Sequence, residues 1–227
     1  KIYEMQPHGF IADVEMDCEK KGDTQAVFRF SSDEDTMKIY PRHFFYQLQY
    51  ELKDNTVDIT YIIQNQDGRT MYFGLGGHPG FMVPLENGMA FEDYCLEFSK
   101  ASEPNRIGMS RECFVLGEDE RWKLEDGRIQ RLSHDLFDDD AIILKDMCRE
   151  VTLKSHKGHR AVTVRYPQMD YLGIWHWPKT DSPYVCIEPW SSLPSRHGVV
   201  EELEHQTDLI QLGAGEEYRN TWSISLW

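Results

Sequence analysis

Short segments that alternate apolar and polar residues with a period of two recur along this chain, as is typical of half-buried β-strands. Residues 45–52 and 56–65 alternate on either side of the turn Lys53-Asp54-Asn55, which predicts a hairpin. Further strands are predicted at 26–30, 71–75, 94–98, 141–144, 150–154, 161–166, 171–177, 184–190 and 221–226. No segment sustains a helical period, and single helical turns are expected only within 31–41 and 199–204. The pattern predicts an all-β fold, an antiparallel β-sandwich or barrel.

The length of 227 residues suits one domain of this class with a sizeable core. No internal repeat, low-complexity tract or linker interrupts the sequence. We therefore predict a single domain over residues 1–227.

The charge balance limits the partners of the protein. Lys and Arg number 24 against 39 Asp and Glu, a formal net charge of −15. Such a field repels nucleic-acid phosphates and anionic lipid, so we expect neither partner, and it disfavours a strongly anionic substrate. No apolar run approaches the roughly 18 residues of a membrane span. A neutral small molecule is the favoured ligand.

Five cysteines, an odd number, are scattered along the chain without a CxxC pair. This distribution argues against a zinc ribbon or a thioredoxin-like motif. Buried or unreactive thiols in a reducing cytoplasm are the favoured interpretation, which predicts a cytoplasmic protein. The sequence leaves the oligomeric state open.

One histidine lies in a glycine-rich segment, Gly76-Gly77-His78-Pro79-Gly80-Phe81. Glycines on both sides indicate a backbone that passes close to other atoms or adopts φ angles that other residues avoid. His78 is therefore predicted to be held in place. By itself it is as consistent with a hydrogen-bonded structural residue as with a catalytic one.

A single carboxylate ends an apolar run in Val185-Cys186-Ile187-Glu188-Pro189-Trp190. Carboxylates in apolar surroundings are rarely left without a partner or a role. Burial would raise the pKa of Glu188 into the range of a general base, and His78 would then be the facing acid. Trp175, Trp190 and Phe81 lie near these motifs, where aromatic faces suit either a sugar ring or the core.

At this point the chain resembles the aldose 1-epimerase (galactose mutarotase-like) family, most closely its bacterial branch of LacX-like proteins. The resemblance covers nearly the whole chain in order. Its motifs are Gln6-Pro7-His8-Gly9-Phe10, Gly76-Gly77-His78-Pro79-Gly80-Phe81, the segment from Leu136 to Ile143, Tyr171-Leu172-Gly173-Ile174-Trp175 and Cys186-Ile187-Glu188-Pro189-Trp190.

The resemblance implies a supersandwich β-fold and a cofactor-free, metal-free interconversion of the α and β anomers of an aldose. Glu188 falls on the family's general base, and His78 on its general acid. His8 matches a histidine that binds sugar hydroxyls, and Asp140, within Asp138-Asp139-Asp140, matches a hydroxyl ligand. Trp175, Trp190 and Phe81 are predicted sugar contacts.

Three features depart from the family pattern. Ile11-Ala12-Asp13 lacks the arginine that usually follows His-Gly-Phe. Ser191-Ser192 stand where many relatives have glycine and then an acidic residue, and Arg196 is the candidate replacement for a basic contact. The family also has leading strands, with a sugar-holding arginine, before the point where this sequence begins, so we expect a truncated chain.

Two other classes of protein remain open from sequence. One is a carbohydrate-binding protein of the same fold without turnover, which the missing arginines favour. The other is a metal-dependent β-barrel enzyme with His78, His176 and Glu188 as ligands, although the usual HxH or HxxxE spacing is absent. An epimerase for phosphorylated sugars would need an Arg/Lys cluster that the charge balance disfavours.

Overall fold

The computed structural model describes residues 2–227, and within that range the regular structure is almost entirely β, as predicted. One short α-helix, α1 (Thr36–Ile39), and four 3₁₀ helices (Ile11–Asp13, Phe91–Asp93, His134–Phe137, Leu203–His205) are the helical elements of this range. The strands are β1 (Asp17–Lys21), β2 (Gln25–Ser31), β3 (Phe44–Lys53), β4 (Thr56–Asn65), β5 (Met71–Phe73), β6 (Gly80–Met82), β7 (Tyr94–Phe98), β8 (Asn105–Arg106), β9 (Glu120–Arg121), β10 (Ile129–Arg131), β11 (Ile142–Lys145), β12 (Glu150–Ser155), β13 (Ala161–Arg165), β14 (Tyr171–Trp175), β15 (Tyr184–Trp190), β16 (Ile210–Leu212) and β17 (Glu217–Leu226).

Two large antiparallel sheets form the sandwich. The nine-stranded sheet has the order β1-β2-β3-β4-β17-β13-β12-β7-β10, and the six-stranded sheet has the order β6-β15-β14-β11-β8-β9. Strands β16 and β5 form a separate pair. This arrangement confirms the predicted antiparallel β-sandwich.

The predicted hairpin is present as β3 and β4. Lys53 lies opposite Thr56, so Asp54 and Asn55 form a two-residue loop. Asp54 has a φ of 53°, and aspartate is among the few residues that tolerate this left-handed region. The turn residues therefore fix the register of the longest strand pair.

The predicted helical turn within 31–41 is α1. Its first backbone N–H groups are capped by the side chain of Asp33, whose Oδ1 accepts from Thr36 N at 2.8 Å and from Asp35 N at 3.1 Å. The second predicted turn, within 199–204, appears only as the 3₁₀ helix Leu203–His205.

The core lies between the two sheets and determines which face of the smaller sheet is free. On β15, Val185 and Ile187 are fully buried in the core, as are Leu172 and Ile174 on β14. Because side chains alternate along a strand, Glu188, Gly173 and Trp175 lie on the opposite face of this sheet. None of the helices between residues 2 and 227 has the length and apolar character that a membrane crossing needs.

Candidate active site

The glycine-rich segment continues β6 as an irregular strand beside β15. Ser191 N donates to Leu75 O at 2.8 Å, Gly77 N to Pro189 O at 3.0 Å and Ile187 N to Pro79 O at 3.1 Å. Gly80 pairs with Cys186, and Gly76 forms a bridge with Trp190. The register between these two pairs places His78 directly across from Glu188 on the same face.

The two predicted catalytic side chains meet. His78 Nε2 lies 3.3 Å from Glu188 Oε1. The imidazole is 45% exposed, whereas the carboxylate is only 4% exposed. The pair therefore consists of a buried acid group beneath a histidine that is open to a ligand.

Close packing explains the glycines around His78. A Cβ on Gly77 would lie 2.4 Å from Cζ2 of Trp222, and one on Gly76 would lie 2.9 Å from Cδ1 of Trp190. Behind them, the Tyr61 hydroxyl donates to Gly76 O at 3.0 Å. The close approach predicted from sequence is confirmed, and it ties the histidine segment to the nine-stranded sheet.

A further glycine makes room for Glu188 on its other side. Gly173 of β14 pairs with Glu188, and a Cβ there would lie 2.9 Å from Cζ2 of Trp190 and 3.3 Å from Cβ of Glu188. The Trp190 ring occupies the space that this missing side chain leaves. Glu188 is therefore enclosed by His78, Trp190 and bare backbone.

The electrostatics of the pair favour neutral groups. Burial raises the pKa of Glu188 to about 7, the Trp190 indole N–H opposes this rise, and the negative charge of Asp140 adds to it. Burial also lowers the pKa of His78, and nearby His8 lowers it further. Although the two groups are within 3.3 Å, both pKa shifts therefore act against a permanent ion pair.

Trp175 and Asp140 extend the site on the side of β14. The Trp175 indole N–H donates to Asp140 Oδ1 at 2.8 Å, and the Trp175 ring centroid lies 6.0 Å from that of His78. Asp140 has a φ of 80°, in the left-handed region. Of the three neighbouring aspartates, Asp140 is the one that contacts this tryptophan.

His8 approaches His78 from the N-terminal segment. The two rings lie edge to face with their centroids 5.3 Å apart. The following Phe10 packs against Phe44 and Tyr40 at centroid distances of 6.2 and 6.3 Å. Phe10 thus anchors the segment that carries His8.

The structure moves one predicted sugar contact to the core. Phe81 pairs with Val185 on β15 and packs against the buried cluster, so it lies on the opposite face from Glu188. We therefore reassign Phe81 to the core. Its neighbours Gly80 and Met82 share the face of the site, and Met82 is exposed.

His176 does not belong to the site. It is fully buried; its Nδ1 lies 2.8 Å from Trp177 O and its Nε2 lies 3.2 Å from His134 Nδ1. The metal set of His78, His176 and Glu188 is therefore not assembled. At this site the side chains of His78, Cys186 and Glu188 converge instead, and their ligand atoms all lie within 4.8 Å of one another.

Arg196, the candidate replacement for a basic sugar contact, is engaged elsewhere. Its Nε donates to Glu201 Oε1 at 2.7 Å and its Nη2 to Glu201 Oε2 at 3.0 Å. This bidentate pair holds the loop after β15. Gly173 and Cys186 were not predicted from the sequence as site residues, although period-two alternation from Glu188 places Cys186 on the same face.

The β-sandwich of this chain is shared with galactose mutarotase-like proteins. A galactose mutarotase related enzyme from Lactobacillus acidophilus superimposes with a TM-score of 0.91 at 29% identity, covering 99% of this chain and 75% of that chain. A galactose mutarotase-like protein from Lactobacillus casei gives a TM-score of 0.91 at 28% identity, covering 99% and 77%.

The sequence comparisons agree with the fold. The aldose 1-epimerase family model matches residues 1–225. The chromosomal LacX protein of Lactococcus lactis subsp. lactis is 27% identical over 216 residues, which are 92% of this chain and 72% of that protein. The chain belongs to the aldose 1-epimerase family.

Proposed function

We propose that this protein interconverts the α and β anomers of a neutral aldose by acid/base ring opening and reclosure. The observation that carries the proposal is the His78–Glu188 pair, 3.3 Å apart on an open sheet face. Family membership gives independent support.

The proton count of the pair suits this reaction. Glu188 as carboxylate takes the proton from the C1 hydroxyl while His78 as imidazolium protonates the ring oxygen, and the C1–O5 bond breaks to leave an aldehyde. After rotation about C1–C2, O5 adds to C1 and the C1–O5 bond forms again while neutral His78 takes the O5 hydroxyl proton and neutral Glu188 returns a proton to the carbonyl oxygen. Each acid/base group in such a step typically contributes about 10²–10⁴-fold.

The raised pKa of Glu188 and the lowered pKa of His78 both weaken the ion-pair form of the pair relative to its neutral form. A base with a pKa of about 7 next to a histidine of lowered pKa passes one proton back and forth without forming a deep ion-pair minimum. This property is needed because both groups reverse their roles within one turnover.

The sugar is proposed to lie over His78, between the rings of Trp175 and Trp190. Aromatic faces accept the C–H faces of a pyranose. His8 and Asp140 are placed beside His78 and Trp175, where they would bind hydroxyl groups. The charge of −15 makes a neutral sugar the expected substrate.

Polarimetry on freshly dissolved α-glucose, α-galactose and a panel of other aldoses tests the proposal. We expect mutarotation faster than in buffer for at least one sugar. A rate equal to the buffer rate for the whole panel contradicts the proposal.

A non-catalytic carbohydrate-binding protein is the second candidate. Its supporting observation is the engagement of Arg196 by Glu201, which leaves the expected basic sugar contact unfilled. Saturable sugar binding in calorimetry without any acceleration of anomer exchange would select this alternative.

The pH dependence of the rate is predicted to be bell-shaped. The reactive pair holds one proton in total, so the rate falls as that proton is lost above the raised pKa of about 7 of Glu188. It also falls as a second proton binds below the lowered pKa of His78. We expect a plot of log kcat/KM against pH, corrected for buffer catalysis, to fall on both the acidic and the alkaline side. A rate that rises steadily through the alkaline range contradicts the assignment.

Replacing Asp140 with Asn is predicted to move the alkaline limb of this profile to lower pH. The negative charge of Asp140 raises the pKa of Glu188, and its removal lowers that pKa. Asn keeps an oxygen for the Trp175 indole N–H, so Trp175 fluorescence should not change. Asp140→Ala should change both readouts, and an unmoved limb in Asp140→Asn would show that Asp140 does not influence Glu188.

A further inference from the structure

We propose that His78 Nε2, Cys186 Sγ and a Glu188 carboxylate oxygen form a binding site for a soft divalent cation such as Zn²⁺, and that the bound ion inhibits the protein. Binding stands on the geometry of these three side chains alone. Only its inhibitory consequence rests on the proposed function.

The three ligands come from one rigid corner of the smaller sheet. Cys186 and Glu188 are two residues apart on β15, and His78 lies across from Glu188. Bonds of about 2.0–2.2 Å from zinc to nitrogen and oxygen, at the tetrahedral angle, place these two ligand atoms about 3.4 Å apart. The observed distance between His78 Nε2 and Glu188 Oε1 is 3.3 Å.

The thiol needs only a small movement to complete the set. Its sulfur lies within 4.8 Å of both other ligand atoms, and a zinc–sulfur bond of about 2.3 Å requires about 3.6 Å. Gly80, which pairs with Cys186, has no side chain to cover the sulfur. We expect a change of the Cys186 side-chain torsion to bring the sulfur into bonding range.

The ligand types select a soft ion. Thiolate, imidazole and carboxylate are each ligands that zinc accepts, whereas calcium and magnesium prefer oxygen alone. Binding forms a zinc–sulfur bond and releases the thiol proton to the buffer. Thiolate and carboxylate then balance the two positive charges of the ion, as a largely buried site requires.

An open fourth position and a loss of function follow from the same geometry. His78 is 45% exposed, so the remaining coordination position faces the ligand side of the sheet and would hold water. In the metal-bound state the Nε2 lone pair of His78 is occupied, and the positive ion lowers the basicity of the Glu188 carboxylate, so we expect neither group to act as acid or base. The ion should compete with sugar, and it is not a cofactor of the proposed reaction.

Binding is tested on the whole protein with Cd²⁺, which reports thiolate ligation through an ultraviolet charge-transfer band, and with Zn²⁺ by calorimetry. We expect one ion per chain and a cadmium–thiolate band. Cys186→Ala should abolish the band and weaken zinc binding by at least about 100-fold. Loss of a residue that only supports a ligand reduces metal affinity by about 10–100-fold, and loss of a direct ligand should reduce it at least as much. Cys186→Ser, which preserves size, provides the same test if the alanine variant does not fold.

Cys95→Ala is the matched control, because Cys95 is an equally buried cysteine on β7 of the other sheet. It should keep the band and the zinc affinity. Absence of the band in the wild-type protein, or its persistence in both Cys186 variants, overturns the proposed site. These readouts need no sugar, so they fail independently of the epimerase proposal.

Inhibition is tested by adding Zn²⁺ to the anomer-exchange assay. We expect inhibition that a chelator reverses, that excess sugar relieves and that Cys186→Ala reduces by the same factor as it weakens binding. Zinc bound through Cys186 without competition from sugar overturns the inhibitory role and leaves only a structural ion.

Discussion

Replacing Glu188 with glutamine is expected to abolish anomer exchange and, at alkaline pH, to stabilise the fold. Glutamine keeps the shape of the side chain and can still accept from the Trp190 indole, but it cannot take a proton from the C1 hydroxyl. The expected loss of kcat/KM is about 10²–10⁴-fold, the usual contribution of one general base.

The gain in stability follows from the pKa of Glu188. Its pKa in the folded protein is about 7, against an ordinary value of 4.5, so the folded state holds the proton more tightly than the unfolded state. The stabilisation that this proton provides is therefore fully present below pH 4.5, and it is lost as the pH rises through 7. The difference between the two pKa values corresponds to about 3 kcal/mol of the free energy of unfolding. The Glu188→Gln variant would not lose this free energy at high pH.

Denaturant unfolding at pH 5 and pH 8 measures this effect. The free energy of unfolding of Glu188→Gln should exceed that of the wild type at pH 8, with a much smaller difference at pH 5. Glu97→Gln is the control, because a hydrogen bond from Lys154 lowers the pKa of Glu97 and its loss should destabilise the fold at pH 8. A Glu188→Gln variant that is less stable than the wild type at pH 8 would show that burial of the ionised Glu188 carboxylate does not destabilise the fold.

Gly77→Ala is expected to destabilise the fold and to inactivate the site together. A Cβ at this position would meet the Trp222 ring at 2.4 and 2.8 Å, and Trp222 is only 5% exposed in the core. Overpacking of this kind typically costs about 1–3 kcal/mol. Because His78 is the next residue, the shifted backbone displaces the proposed acid, and a displacement of about 1 Å can cost about 10²-fold in rate.

Gly80→Ala is the comparison within the same segment. Its Cβ would lie 3.5 Å from Cys186 Sγ, an ordinary contact, so its free energy of unfolding should stay close to that of the wild type. Thermal unfolding and the rate of anomer exchange, measured for both variants, test this prediction. Equal stability of Gly77→Ala and Gly80→Ala would mean that Trp222 does not restrain the histidine segment.

Alternation along the chain was sufficient to predict most of the fold. The hairpin of β3 and β4 followed from two period-two runs and the turn residues Lys53-Asp54-Asn55, because both depend on local sequence alone. The pairing of His78 with Glu188 was predicted through the family resemblance and the character of each motif. What the sequence did not provide is the register that sets them opposite each other, since strand register between distant segments depends on the whole sheet.

The misplaced residues share one physical cause. Phe81 and His176 were predicted as site residues because they adjoin other candidate residues in the sequence. Adjacent residues in an extended segment, however, point to opposite faces. His176 lies between Trp175 and Trp177 and therefore faces inward, and Phe81 lies between Gly80 and Met82. The same rule, applied from Glu188, identifies Cys186 as a residue of the site.

Arg196 was misjudged for a different reason. Its engagement by Glu201, five positions later, depends on the path of an irregular loop that no periodicity describes. Where a charge lies in a loop, its partner is set by tertiary structure, and sequence distance alone does not identify it.

Saturation-transfer NMR at anomeric equilibrium tests the central claim most directly, because it measures exchange between the C1 protons of the α and β forms without any net reaction. With the wild-type protein and its preferred aldose, irradiation of one anomeric signal should attenuate the other, whereas folded His78→Asn and Glu188→Gln variants should return the exchange to the buffer rate. Unchanged exchange in both variants, or no transfer with the wild-type protein for any aldose, would contradict the assignment of His78 and Glu188 as the acid and base of an anomer exchange.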